Sequence, residues 1–235
     1  MLCCRLLIGQ DLIPNETIQI PMRDGFLLPA DVYLPDVNAE KLPCILLRSP
    51  AGRKAPSWQN FALLAKLGYA VVIQDTRSAV DVEGKTMPFW SDGWGKDQDG
   101  YDTVEWLAKS AYTNGKIGTV GFSALGITQL LMAPTAPPAL KCQYIGVAAS
   151  SLYHHGIFPG GQLLKHQVES WLGLYAKDTS VLNHVCNQPF YNYFWSHFNC
   201  LPHANRVKVP GFLYGGWYDT FIQGTIDAFV ARQQL

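Results

Sequence analysis

The segment Gly118-Thr119-Val120-Gly121-Phe122-Ser123-Ala124-Leu125-Gly126 constrains this chain more than any other. It is an apolar run ended by a serine between glycines, the form of a buried strand turning sharply into a helix. A serine is a poor nucleophile unless it is held rigidly beside a base, and such a turn lifts the hydroxyl above a sheet edge. Glycines suit it because the backbone there is strained and passes close to its neighbours. The spacing is G-x-S-x-x-G, with the second glycine one residue later than is usual in a nucleophile turn. Alone, the pattern also fits an ordinary glycine-rich β-to-α turn.

The surrounding chain favours alternating strands and helices. Residues 17–21 and 26–34 alternate apolar and polar positions around Arg23-Asp24-Gly25, which predicts a hairpin. The runs 43–47, 69–73, 117–122, 144–149 and 209–214 are short and apolar, as in strands buried on both faces. Between them, Trp58, Phe61, Ala62, Leu64, Ala65 and Leu67 recur at helical spacing up to Gly68. A second helix is predicted over 101–108, behind Asp97, Asp99 and Asp102, carboxylates that suit a helix N-terminus. A third runs from Ala124 to about Ala133, stopped by Pro134, Pro137 and Pro138. This order predicts an α/β protein with a mostly parallel sheet and crossover helices. The stretch 150–206 breaks the rhythm: it is rich in Trp, Tyr, Phe and His and has helical stretches such as 163–175. It is expected as an inserted helical cap over the C-terminal edge of the strands, where α/β sheets bind ligands. The division is therefore 1–149, core; 150–206, cap; 207–235, core continued.

Composition narrows the function classes. Of 235 residues, 48% are hydrophobic and 15% charged, which supports a large core and argues against disorder. The net charge is zero and no basic run stands out, so neither nucleic acid nor an anionic membrane is an expected partner. Cys44 and Cys142 lie in apolar runs and read as buried thiols, and no C-x-x-C pair occurs. The apolar stretch Leu6-Leu7-Ile8 is too short for a signal peptide, so a cytoplasmic protein is expected. No H-E-x-x-H, clustered Cys/His set, Walker-type loop or dinucleotide fingerprint is present, and no cofactor or metal is expected.

Four further blocks make the serine motif specific. They are Arg48-Ser49-Pro50-Ala51-Gly52-Arg53, then Tyr69 to Arg77 (YAVVIQDTR), Gly100 to Leu107 (GYDTVEWL) leading into the serine turn, and Gly215-Gly216-Trp217-Tyr218-Asp219. In this order they resemble the cocaine esterase/NonD and X-prolyl dipeptidyl-peptidase (S15) serine hydrolases, from about Ile18 to the C-terminus. The resemblance implies an α/β-hydrolase fold, Ser123 as nucleophile and Asp219 as triad acid. Asp219 closes an apolar strand at a Gly-Gly turn, on the sheet edge where Ser123 belongs, and there it would orient a catalytic histidine. The competing reading of Asp219 is a helix N-cap. The backbone N–H of Ala124 is the expected oxyanion donor; the family's second donor, a tyrosine hydroxyl, falls at Ala51 and is lost. Ser78 stands where the family has the glycine of an Arg-Gly turn.

No histidine follows Asp219, although the order in such hydrolases is serine, acid, histidine. His154, His155, His166, His184, His197 and His203 all precede it, in the cap. The resemblance also implies a further β-rich domain after the histidine, so the chain is expected to be the first part of a longer hydrolase, cut short after the acid. Trp171, Trp217 and Tyr218 are candidate pocket residues. The cap aromatics Trp171, Tyr175, Tyr191, Tyr193, Phe194, Trp195 and Phe198 suit an acyl pocket or cap packing equally. Asp75 and Arg77 are expected to form a structural ion pair. The implied reaction is hydrolysis of a small ester, amide or short peptide through an acyl-enzyme, with a homo-oligomer left open. The alternative is a catalytically silent subunit that binds a ligand or partner.

Overall fold

The structure, a computed structural model, describes residues 12–35 and 41–233, so the reading of Leu6 to Ile8 lies outside it. Seven strands form one sheet: β1 (Glu16–Pro21), β2 (Leu27–Tyr33), β3 (Leu42–Ser49), β4 (Ala70–Asp75), β5 (Thr113–Phe122), β6 (Leu140–Gly146) and β7 (Gly211–Tyr214). Their order is β1-β2-β4-β3-β5-β6-β7. The first pair is the predicted hairpin, in register from Glu16 opposite Val32 to Pro21 opposite Leu27. β2 joins β4 antiparallel, and every pair from β4 to β7 is parallel.

Continuous apolar runs suit these strands because successive side chains serve opposite faces. Leu46 and Val72 enter a core with Ile20, Leu28, Val104, Leu107 and Ile117. Their neighbours Leu47, Val71 and Ile73 enter the other core, with Leu125, Ile127 and Ile145 and with Val168, Leu172 and Trp195 from the segment between β6 and β7.

The predicted helix after β3 is one short α turn, α1 (Pro56–Gln59), followed by a 3-10 stretch over Asn60–Leu67 that left-handed Gly68 ends. The next three are α2 (Arg77–Val80), α3 (Asp99–Lys109) and α4 (Ala124–Met132). Between β6 and β7 lie a π turn at Tyr153–Ile157, α5 (Lys165–Tyr175), α6 (Thr179–Cys186) and α7 (Tyr193–Ser196); α8 (Ile222–Gln233) follows β7. Among the described residues no helix is long and apolar enough to cross a membrane.

Three local expectations are corrected. β6 starts and ends earlier than the apolar run 144–149, because Val147 takes φ +40° as the chain leaves the sheet. Cys142 is exposed rather than buried: it shares a strand face with half-exposed Tyr144, which stacks on exposed Phe212 instead of under a helix. The Asp75–Arg77 pair does not form. The chain turns at Thr76 into α2, so Arg77 reaches Asp24 at 2.7 Å and Asp99 at 2.8 Å, while Asp75 pairs with Arg53. The acidic first turn of α3 thus serves as an anchor, with Asp99 fully buried and Asp102 bound to Arg23 at 2.7 Å.

The junction that carries the serine is close-packed. A Cβ on Gly121 would lie 2.5 Å from the Leu125 Cβ, and one on Gly126 would lie 2.7 Å from the Ala148 Cβ and 2.9 Å from the Gly146 oxygen. The late second glycine of the motif is therefore where α4 crosses the end of β6.

Two predictions follow from this packing and from the ion pairs. Gly126→Val should lower stability by about 1–3 kcal/mol through overpacking. Gly173→Ala, inside α5 with no atom within 4 Å, should raise it by about 0.5–1 kcal/mol; equal urea midpoints for the two variants would contradict the close approach at β6. The Arg77 hydrogen bond holds the Asp24 carboxyl at about 2, below its usual 3.8. Its folded value is depressed, so its stabilisation is present above 3.8 and fades as pH falls toward 2. Asp24→Asn should cost at most about 1 kcal/mol at pH 6, because the pair is partly exposed, and only a small fraction of that near pH 2. Thermal melts at the two pH values check this.

Candidate active site

Ser123 ends β5 and begins the turn into α4 with φ +55° and ψ −125°, a backbone conformation rarely adopted by a side-chain-bearing residue. Such strain costs about 1–3 kcal/mol and persists only where surroundings enforce it. Here the Ser123 N–H donates to the Gly146 oxygen at 3.0 Å, and the Ser123 oxygen accepts from Gly126 and Ile127 at 2.9 and 3.0 Å. The residue is half-buried. Ala124 opens α4, so its N–H belongs to the first turn, whose donors have no intrahelical acceptor. The Ala51 methyl, in the loop after β3, is exposed and offers no donor. That loop is held from below, with the Arg53 guanidinium on Asp31 at 3.0 Å and on Asp75.

Asp219 follows β7 in the turn Gly216–Asp219, closed by its own N–H on the Gly216 oxygen at 3.0 Å. Its Oδ1 accepts the Phe221 N–H at 2.7 Å, so the capping contact is real. Its Oδ2 has no hydrogen-bond partner among the described residues, which leaves that oxygen for another group. β5 and β7 are two places apart in the parallel sheet, so Ser123 and Asp219 share one edge, separated by roughly 10 Å of sheet width.

None of the six histidines hydrogen-bonds either residue. His154 stacks on Tyr191, His184 meets Phe194 edge-on, His197 stacks on Trp90, His203 leans on Trp94, and His166 is exposed. His155 is bound to Asp227 at 2.9 Å.

An apolar cavity of about 280 Å³ lies between the helical segment that follows β6 and the start of α8, lined by Leu152, Gly156, Ile157, Gln167, Val168, Trp171, Thr220 and Phe221. Of the three candidate pocket aromatics it takes Trp171, whose indole stacks on Phe89 at 5.6 Å. Trp217 and Tyr218 stand 81% and 97% exposed instead. Among the other cap aromatics, Trp195 and Phe198 are fully buried in the core and Tyr193 is exposed. Sequence reasoning missed Phe221 and the Leu152, Gly156 and Ile157 wall. The available signal was weak: an aromatic two residues after the acid, and small or apolar residues four and five positions apart. Among the described residues no group of three or more His, Cys, Asp or Glu side chains could hold a metal ion.

The sequence and the fold are matched in known proteins. The chain is 26% identical to the cocaine esterase of Rhodococcus sp. (strain MB1 Bresler), over 92% of its own length and 46% of that enzyme. Its fold superposes on a CocE/NonD family hydrolase from Staphylococcus aureus with a TM-score of 0.78, at 20% identity, over 93% of this chain and 44% of that one. An α-amino acid ester hydrolase gives a TM-score of 0.70 at 23% identity, over 98% and 47%. The chain thus spans less than half the length of these relatives. The pattern described as X-Pro dipeptidyl-peptidase (S15 family) matches residues 24–181 and 169–235. With that match across nearly all of its length, and an α/β-hydrolase sheet beneath it, this chain belongs to the S15 family of hydrolases.

Proposed function

We propose that this chain carries the nucleophile and acid of a serine hydrolase that cleaves small carboxylic esters or amides through an acyl-enzyme. The observation that carries the reading is the strained Ser123 at the β5–α4 junction, on the same sheet edge as Asp219. Strain at that position is expected where a hydroxyl must stand clear of the sheet. Ser123 Oγ attacks the carbonyl carbon and its proton passes to an imidazole. The Ala124 N–H holds the oxyanion, and Asp219 Oδ2 orients the imidazole and stabilises its charged form. The reading requires an imidazole within hydrogen-bond reach of Ser123, and none of the chain's six histidines hydrogen-bonds Ser123 or Asp219. Ala51 leaves the oxyanion with one donor fewer than the family has. We read 1–149 and 207–235 as the catalytic core and 150–206 as its cap.

The apolar cavity supports an uncharged, apolar acyl or alcohol group as the recognised part of the substrate. A dipeptidyl-peptidase would need a carboxylate for the free amine. Of the cap candidates, Glu169 reaches toward Lys165 at 3.9 Å and Asp178 caps α6 through the Ser180 N–H, and neither lines the cavity. Esterase or acylase chemistry is therefore favoured over peptide cleavage.

A second reading, a ligand- or partner-binding subunit without turnover, rests on exposed large apolar side chains near β6, β7 and α8. Tyr144, Phe212, Trp217, Tyr218, Ile226, Phe229 and Val230 are all exposed around β6, β7 and α8.

A fluorophosphonate probe separates the readings. Protein from its native source should gain one adduct, on Ser123, and Ser123→Ala should gain none; folded protein that stays unlabelled would establish the non-catalytic reading. In the labelled form, Asp219→Asn should lower kcat by about 10³–10⁴-fold with little change in KM, as loss of an orienting acid does. Progress curves with p-nitrophenyl esters measure both constants.

A further inference from the structure

The buried histidine His155 is used by no step above, yet it sits directly behind two residues of the apolar cavity's wall. It lies in the π turn Tyr153–Ile157, beside Gly156 and Ile157, which line the cavity. Its Nδ1 accepts the Ser151 N–H at 3.2 Å and lies 3.3 Å from Ser150 Oγ. A backbone N–H can only donate, so Nδ1 is unprotonated and the ring proton is on Nε2. Nε2–H therefore donates to Asp227 Oδ2 at 2.9 Å. The other Asp227 oxygen accepts from Gln223 Nε2 at 2.7 Å, which pins the carboxylate on α8. Both ring nitrogens are thus committed, and His155 cannot serve as base to Ser123.

The contact joins two walls of one space. Leu152, Gly156 and Ile157 belong to the turn, while Thr220 and Phe221 lead directly into α8. α8 comes down on the turn at Gly224, where a Cβ would lie 3.1 Å from His155 Cγ and 3.0 Å from the Ser150 nitrogen. Gly156 in turn faces the Phe221 ring, at 3.6 Å from its Cε1 for an added Cβ. We propose that His155 is a positioning residue: through its hydrogen bond to Asp227 it clamps the π turn to α8 and so sets the width of the apolar cavity. The proposal rests on the cavity being the substrate pocket, as argued above.

The Ser151 contact, which fixes the ring in the turn, holds only while the ring is neutral. A proton added at Nδ1 would point at the Ser151 N–H, donor against donor. Burial pushes the His155 pKa below its usual 6.5, against the opposing pull of Asp227. The ionisable groups facing the ring are Asp227 from α8 and His154 from its own turn; the loop at Ser150 and Ser151 adds only hydroxyls and the N–H. A depressed histidine stabilises the closed form above 6.5, and that stabilisation is lost as pH falls through the lower folded value.

The test is binding of 1-naphthol, followed by quenching of tryptophan fluorescence between pH 5 and 8, with Trp171→Phe identifying the cavity signal. Wild type should bind roughly tenfold more weakly at pH 5 than at pH 8, a usual size for coupling between linked groups. His155→Gln retains a side-chain N–H for Asp227 but does not titrate, and it should keep the pH 8 affinity and lose the pH dependence. His155→Leu should bind weakly throughout; if it does not fold, wild type and His155→Gln decide alone. Quenching that survives Trp171→Phe unchanged would overturn the pocket assignment and the clamp with it. Trp171-dependent binding with identical pH profiles in wild type and His155→Gln would overturn the clamp alone.

Discussion

The junction of β5 and α4 is the constraint on which the rest of the site depends. Ser123 holds a positive φ because its N–H is tied to the Gly146 oxygen and the α4 amides are tied to its carbonyl. α4 in turn can cross the end of β6 only because Gly126 faces Ala148 and the Gly146 oxygen with no side chain of its own. The serine hydroxyl, the Ala124 N–H and the exit of β6 into the cap are therefore one packed unit. A change in any of them moves the others, since close-packed interiors leave no slack.

Beneath that edge, ionic contacts anchor the connecting loops where hydrophobic packing does not reach. Arg53 ties the Ala51 loop to Asp31 and Asp75, and Arg77 ties the start of α2 to Asp24 on the hairpin and Asp99 on α3. Arg48, Gln74 and Asp92 form a similar contact inside the sheet, with Arg48 and Asp92 almost wholly buried. Breaking a buried pair leaves an uncompensated charge, so such contacts specify the loop paths more than they add net stability. The segment between β6 and β7 is held by aromatic packing, with Trp195 and Phe198 fully buried and Trp171 left at the cavity wall.

The family and the positions of Ser123 and Asp219 were legible in the sequence because they depend on local features. A buried strand must be an apolar run, a strained turn favours glycines, and an acid at a sheet edge follows a strand directly. The hairpin around Asp24-Gly25 and the helix behind Asp99 and Asp102 were legible for the same reason. Less legible was any feature set by which distant residues meet. Asp75 and Arg77 are two residues apart and suggested a pair, but their partners come from 22 and 53 positions away. Cys142 lies in an apolar run, yet its face of β6 has no helix over it, and a run of apolar letters does not say which face is covered.

What the sequence by itself determined is the order of strands and helices, the strained serine turn after β5 and the aspartate that follows β7. These follow from periodicity and backbone sterics within a few residues. Only the tertiary structure decided that Trp171 rather than Trp217 or Tyr218 lines the cavity. It also decided that Phe221 completes that cavity and that His155 is bound to Asp227, 72 positions away, rather than to Ser123. The physical reason is that a cavity is what remains after distant elements have packed. Its lining depends on how the π turn and α8 approach one another, and no local pattern in either segment encodes that distance.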